Sequence, residues 1–217
     1  MRQPHIGRNR VRNHYGLTAL CPIIVGNPPG TDRSYESMVR EMLAALPLAE
    51  HSPFDGCPNT YMARLFVLKD VVYESKPAHK DHLKSQYLVF ATDFYGKLDP
   101  HLAGMWDRAI SAVQAIWQHC VGFSDVHDAA GFVRYIHRCQ IDNALLFNGS
   151  TDQPLAEQLK GLYLKQEFGE FAASHQHLPT EQLRQAFIEF TRRVELDNLA
   201  RPTWRAGASS LSDVEIR

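Results

Sequence analysis

The sequence predicts an α+β fold, an antiparallel sheet with helices packed against it. Three observations predict it. Apolar runs of strand length recur at 15–25, 60–69, 86–94 and 143–150. Helical spacing fills the gaps between the first and second runs and between the third and fourth, whereas the second and third are joined only by a charged linker. Two further helical patterns then close the chain.

"YGLTALCPIIV" (15–25) is bounded by Gly16 and by the turn-forming Gly26-Asn27-Pro28-Pro29-Gly30, which marks a buried strand running into a turn. In 34–47, Ser34 is placed to cap a helix, Met38, Met42, Leu43 and Leu46 fall at helical spacing, and Pro47 ends the run. Residues 50–59 form a loop by their Pro, Gly, Asp and Asn content. "TYMARLFVL" and "QYLVFATDF" are strands, separated by the linker at 73–85. Asp99-Pro100 opens a long helix at 99–120, with Asp99 as the cap and Pro100 at the first helical position. Leu102, Trp106, Ile110, Val113, Trp117 and Cys120 form its apolar stripe, with both tryptophans in the core. A shorter helix at 128–139 and a strand at 143–150 follow. Helices at 152–174 and 180–198 complete the chain, with Thr151-Asp152 and Thr180 as their caps.

Strand, helix, strand, strand, helix, strand is the order of the ferredoxin-like βαββαβ unit. The organisation expected is a flexible basic arm at 1–14, a ferredoxin-like domain at 15–150, a helical extension at 151–200 packed on the same domain, and a flexible tail at 201–217.

Composition narrows the function. The chain has 217 residues, 44% hydrophobic and 22% charged, with a formal net charge of -1. That balance offers no basic field for nucleic acid or an acidic membrane surface. No apolar run reaches the length of a membrane span, and the N-terminal arm, with four arginines, lacks a signal-peptide core. Cys21, Cys57, Cys120 and Cys139 form no Cys-x-x-Cys pair, so a reduced cytoplasmic protein is expected. The chain carries no phosphate-binding glycine loop, no Gly-x-Ser-x-Gly elbow and no His-Glu-x-x-His pair. The pairs His79/His82 and His175/His177 lie in polar stretches without the acidic or Cys partners that zinc sites use, so no metal is expected.

The strand at 60–69 raises the one pointed question. Alternate residues face opposite sides, which sets Tyr61, Ala63, Leu65 and Val67 against Met62, Arg64, Phe66 and Leu68. Both sides are apolar, so both are expected to be covered, the second by the C-terminal helices or by another subunit. Arg64 then points into a covered space and needs a partner. That partner is either a carboxylate of Asp93, Asp55 or Glu36, or the acidic group of a bound ligand, including a haem propionate. Tyr61, Asp93 and His119 are the candidate groups for proton transfer beside Arg64. His119, at the end of the long helix, reads either as a protonated helix cap or as a haem ligand or general acid.

"TYMARLFVLKD" followed by "YLVFATDFYGKLDPHL" resembles a ferredoxin-like bacterial family whose members carry a His-Phe-Ala-Arg-Trp-like strand and a Leu-Phe-x-Ser-Asn-x-Asp-Gly strand. Ala63-Arg64 match the first motif, and Phe90, Thr92-Asp93, Phe94 and Gly96 match the second, over about residues 60–123. Tyr61 stands at the family's histidine, so no role of that histidine carries over. Domains of that family occur beside haem peroxidase-type or lipoxygenase-type proteins. The resemblance extends, at fold level, to dimeric α+β barrels such as dye-decolourising peroxidases and small monooxygenases. It implies a homodimer that binds a small organic ligand or haem, with oxidoreduction as the first activity to test. The alternative is a non-catalytic module that supports a partner enzyme through its helical extension.

Overall fold

The computed structural model describes residues 9–48, 51–71 and 82–205. Residues 1–8 of the expected arm, 73–81 of the linker and 206–217 of the tail lie outside them. The chain divides into two compact units, 1–152 and 153–217.

The first unit is α+β. Its strands are β1 (Arg10–Val11), β2 (His14–Pro22), β3 (Thr60–Leu68) and β4 (Tyr87–Tyr95). They form one four-stranded sheet in the order β1-β2-β4-β3, and every neighbouring pair is antiparallel. Helix α1 (Tyr35–Ala44) connects β2 to β3, and α2 (Leu98–Trp117) and α3 (Ala129–Cys139) follow β4. β2 and β3 therefore run parallel with β4 between them, the split arrangement that the expected element order requires.

One face of the sheet carries the core. Leu17, Ala19 and Cys21 of β2 and Leu88, Phe90 and Phe94 of β4 are buried against Leu102, Met105, Val113, Ile116 and Trp117 of α2 and Phe132 and Ile136 of α3. Trp117 sets its ring edge-on to Phe90 and to Phe132, each at 5.3 Å between centroids, a favoured geometry for aromatic pairs. The expected cap holds at α1, and α3 is capped by Asp128. Ser34 Oγ accepts from Ser37 N at 3.1 Å, and Asp128 Oδ1 accepts from Gly131 N at 2.6 Å.

Elsewhere the starts differ. α2 begins at Leu98 after Lys97, so Asp99 and Pro100 both lie inside the first turn. Proline is tolerated there because first-turn N–H groups have no intrahelical acceptor. The helix breaks locally at Ala109, whose φ and ψ are -131° and 33°.

The largest difference is at 143–150, where no strand forms. The edge of β2 is instead shared by two segments. β1 pairs Arg10 with Tyr15 and Val11 with His14. Beyond it, Gln140 bridges Ala19, and Ile141 N donates to Thr18 O at 2.9 Å. Asn9 and Asn143 stitch the junction: Asn143 N donates to Asn9 Oδ1 at 2.6 Å, Asn9 Nδ2 to Ile141 O at 3.2 Å and Asn143 Nδ2 to Gly16 O at 3.0 Å. Side-chain amides thus complete an edge that a fourth strand would otherwise satisfy. Residues 9–13, expected in the flexible arm, are part of this edge.

The second unit holds α4 (Leu155–Ser174) and α5 (Thr180–Val194). Neither helix has a side-chain cap; Pro154 and Pro179 precede them, not the expected Thr151-Asp152 and Thr180. Asp152 instead accepts from both the backbone N and the side-chain Nδ2 of Asn13, each at 3.1 Å, within the first unit. Phe171, Phe190 and Val194 form the small core between α4 and α5. Among the described residues no helix is long and apolar enough to cross a membrane.

Candidate functional site

The sheet face opposite the helices carries the site. The register places Met62 opposite Asp93 and Asp93 opposite Gly16, then Arg64 opposite Ala91 and Ala91 opposite Thr18, then Phe66 opposite Val89 and Val89 opposite Leu20. The register shifts between Thr60 and Met62. This bulge turns Tyr61 onto the same face as Met62 instead of the opposite one. There the Tyr61 ring stacks on His14 at 5.4 Å and 9°.

His14 lies at the start of β2, one residue before the apolar run that marks the strand in the sequence. It is 7% exposed, and its Nε2 lies 3.3 Å from Asp93 Oδ1. A carboxylate at Nε2 favours the tautomer in which Nε2–H donates to Asp93, which leaves Nδ1 with a basic lone pair. Nδ1 is buried and has no hydrogen-bond partner in the structure. Asp93 therefore orients a histidine between itself and a tyrosine ring. The signal was in the strand phase: His14 is two residues before Gly16 and four before Thr18, on the face that bears Asp93 across the ladder.

The crowding around Gly16 closes one end of this face. A side chain at Gly16 would meet Leu146 Cδ1 at 2.7 Å and Asp93 Oδ1 at 3.2 Å. The absence of a side chain at Gly16 lets Leu146 lie across β2 beside the His14–Asp93 pair, and a Cβ there would push it aside. Leu146 is the residue of the apolar run at 143–150 that this contact takes up; Leu145 and Phe147 are exposed.

Arg64 corrects an expectation. It is exposed, and so are its neighbours on the strand, Met62 at 45% and Phe66 at 48%. Only the central strand is shielded, because Val89 sits between Leu20 and Phe66 and Ala91 between Thr18 and Arg64. None of the expected carboxylates holds Arg64 in an ion pair among the described residues: Asp93 turns to His14 and Glu36 to Arg40. Arg64 is two residues along β3 from Met62, so its Cα lies about 7–8 Å from that of Asp93, the diagonal spacing of an antiparallel pair. The Arg64→Ala variant should accordingly change unfolding free energy by no more than about 0.5 kcal/mol, the range of a surface substitution, and not by the several kcal/mol of a broken buried pair. Denaturant midpoints of the two proteins check this.

His119 stands apart from this group. It follows α2 beside Cys120, which bridges Ile23 beyond the far end of β2. The nine residues from His14 to Pro22 separate the two ends by roughly 27 Å. The helix ends at Trp117, and the His119 ring tilts against Tyr35 at 5.4 Å. Burial lowers its pKa, which opposes the protonated cap expected from the sequence. Of the four expected residues, the structure brings Tyr61, Arg64 and Asp93 to one face and leaves His119 elsewhere.

Two of the histidines are already engaged by neighbouring side chains. His14 Nε2 is engaged by Asp93 and its ring by Tyr61, and His119 packs on Tyr35. Neither the cavity of 760 Å³ beside Gly26 and Lys69 nor that of 420 Å³ beside Cys139 is lined by a histidine. No family model, curated protein or solved structure matches this chain. Among the described residues no group of three or more His, Cys, Asp or Glu is placed to hold a metal ion. His82, of the first histidine pair, donates or accepts at 2.6 Å with Asp70, whereas His79 lies outside the described residues.

Proposed function

We propose that this chain is a ferredoxin-like binder of a small organic acid, with the sheet face of His14, Tyr61, Arg64 and Asp93 as its site. The observation that carries the reading is the His14–Asp93 pair at 3.3 Å under the Tyr61 ring. A ligand carboxylate would meet the Arg64 guanidinium, whose planar fork is matched to it. The body of the ligand would lie on Met62 and Phe66. His14, oriented by Asp93, would exchange a proton with the ligand, which is the first step of an isomerase- or oxidoreductase-type reaction.

A second copy of the chain would complete the chamber by covering Met62 and Phe66, as in a dimeric α+β barrel. Sedimentation at micromolar concentration is expected to give a dimer; a single species near 24.6 kDa overturns that part.

The binding test is a calorimetric titration with a set of small aromatic and aliphatic carboxylates. Saturable binding is expected for at least one of them, weakened roughly 10- to 100-fold in Arg64→Ala, the worth of a charge-assisted hydrogen bond. Binding that Arg64→Ala leaves intact, or no saturable binding at all, overturns the proposal.

A second reading, the interaction module, draws on the second unit. Phe168 and Phe187 are both half exposed at the rim of the Phe171–Phe190 cluster, and Leu162 on α4 is exposed as well. Loss of oligomerisation or partner binding in Phe168→Ser with Phe187→Ser, with carboxylate binding retained, would favour it.

A further inference from the structure

Three of the four cysteines converge in the first unit, at a place remote from the His14 site. Cys21 lies on the core face of β2, Cys120 just after α2 and Cys139 at the last position of α3. The spacing of 21, 120 and 139 gives no hint of this. Gln140, next to Cys139, bridges Ala19, two residues from Cys21, and Cys120 bridges Ile23, so the three gather at the end of β2 around Tyr135.

The two buried thiols and the half-buried one differ in access. Cys21 and Cys120 are sealed in the core. Cys139 lines a cavity of 420 Å³ together with Tyr135, Arg138, Asp125, Leu20 and Tyr87. Tyr135 is 2% exposed, yet its hydroxyl has no proper hydrogen-bond partner. Thiols are weak acceptors, so a buried phenol that faces only thiols is left unsatisfied. A thiolate on Cys139 would supply the missing acceptor. Cys21 has a second constraint, because Trp117 Nε1–H donates to its Sγ at 3.3 Å. Trp117 thus uses the Cys21 sulfur as an acceptor, and the Cys21 S–H remains available to donate towards Cys139.

We propose that Cys139 is a reactive thiolate that takes peroxides from the 420 Å³ cavity, with Cys21 as the thiol that resolves it to a disulfide. The proposal is independent of the carboxylate site on the sheet face. The electrostatics run the same way. The Cys139 thiol is lowered to about 7, first by the Cys21 thiol donating to it, then by Tyr135 and Arg138, against burial. Cys120 is pushed up to about 12 by burial, and Cys21 is raised, first by its bond to Cys139 and then by burial. One sulfur is thus a nucleophile and its neighbour a neutral thiol.

The chemistry balances with a hydroperoxide as oxidant. The Cys139 thiolate attacks one peroxide oxygen, the O–O bond breaks, and the alkoxide or hydroxide leaves to take a proton as alcohol or water. Cys139 is then a sulfenic acid. The Cys21 sulfur attacks the sulfenyl sulfur, the S–OH bond breaks, and the hydroxide leaves with the Cys21 proton as water. Two thiols are oxidised by two electrons and the peroxide is reduced by two.

The test uses the full chain and hydrogen peroxide, read by intact and peptide mass spectrometry. Wild type is expected to lose two hydrogens and to yield a peptide cross-linked through Cys21 and Cys139. Cys21→Ser should stop at a sulfenic acid on Cys139 that a cyclic 1,3-dione traps. Because a core substitution can unfold the chain, a variant-free measurement accompanies these: limiting iodoacetamide on reduced wild type should label Cys139 about tenfold faster than Cys57 or Cys120, as its thiolate fraction requires. Tyr135→Phe should narrow that ratio. Labelling of Cys57 or Cys120 ahead of Cys139, or a peroxide-induced disulfide that omits Cys139, overturns the proposal.

Discussion

Lowering the pH from 7 to 5 is expected to destabilise this protein by about 2 kcal/mol through His101 alone. His101 lies in the first turns of α2, and its ring stacks on Phe94 of β4 at 3.7 Å and 3°. Its Nε2 is buried without a partner. Burial lowers its pKa to about 4, against about 6.5 in the unfolded chain. The sign follows from proton counting. Between pH 6.5 and 4 the unfolded chain binds a proton at this position and the folded protein does not, so unfolding gains as pH falls. Above pH 6.5 both forms are neutral and the stability is fully present. His119, also lowered by burial, acts in the same direction. Asp70, held at about 2 first by His82 and then by the Leu83 and Val71 amides, is lost only as pH falls from about 4 towards 2. Denaturant unfolding at pH 7, 6 and 5 measures the slope. His101→Phe keeps the stacked ring and removes the titrating group, so its stability should be nearly flat across that range. Equal slopes for wild type and His101→Phe would place the acid sensitivity elsewhere.

What was legible in the sequence follows from which forces act locally. β3 and β4 are found within a residue of their expected bounds, because β-branched and aromatic residues there alternate between glycine- and proline-rich breaks. Leu102, Trp106, Val113 and Trp117 of the α2 stripe are buried as their spacing demands, whereas Ile110, next to the break at Ala109, is 43% exposed. The missing strand at 143–150 was not legible, because the edge of β2 is completed by amide side chains of Asn9 and Asn143 across more than 130 residues of chain. A sequence shows asparagine as a turn former and not as a ladder substitute. A strand that is apolar on both sides predicts a covered space for Arg64. Met62 and Phe66 nevertheless remain half exposed, so apolar content alone did not decide cover. The candidate site was half legible: Tyr61, Arg64 and Asp93 share a face, but only a bulge puts Tyr61 there, and only the strand's true start at His14 adds the histidine beside Asp93.

Lys160→Met is expected to destabilise the second unit by about 3 kcal/mol, although a lysine within a helix reads as a solvated residue. Lys160 is 2% exposed. Its Nζ donates to Val194 O at 2.7 Å and to Pro202 O at 2.8 Å, and it lies 5.5 Å from the Tyr163 ring centroid. Val194 is the last residue of α5, so its carbonyl is one of those that a helix leaves without an intrahelical donor. The ammonium therefore sits where the helix end is negative and where two carbonyls need a donor. Methionine matches the length and apolar stem of lysine, so the contact with Tyr163 is retained while the donor is lost. Two acceptors are then buried without a partner. Segment-resolved amide hydrogen exchange of the full chain is the appropriate measurement, because it reports each unit separately. Protection should fall across the last turns of α5 and the facing part of α4, with the amides of β4 and α2 unchanged. Uniform loss over both units would show that Lys160 supports more than the α4–α5 pair, and unchanged protection would show that the two carbonyls find water when the ammonium is removed.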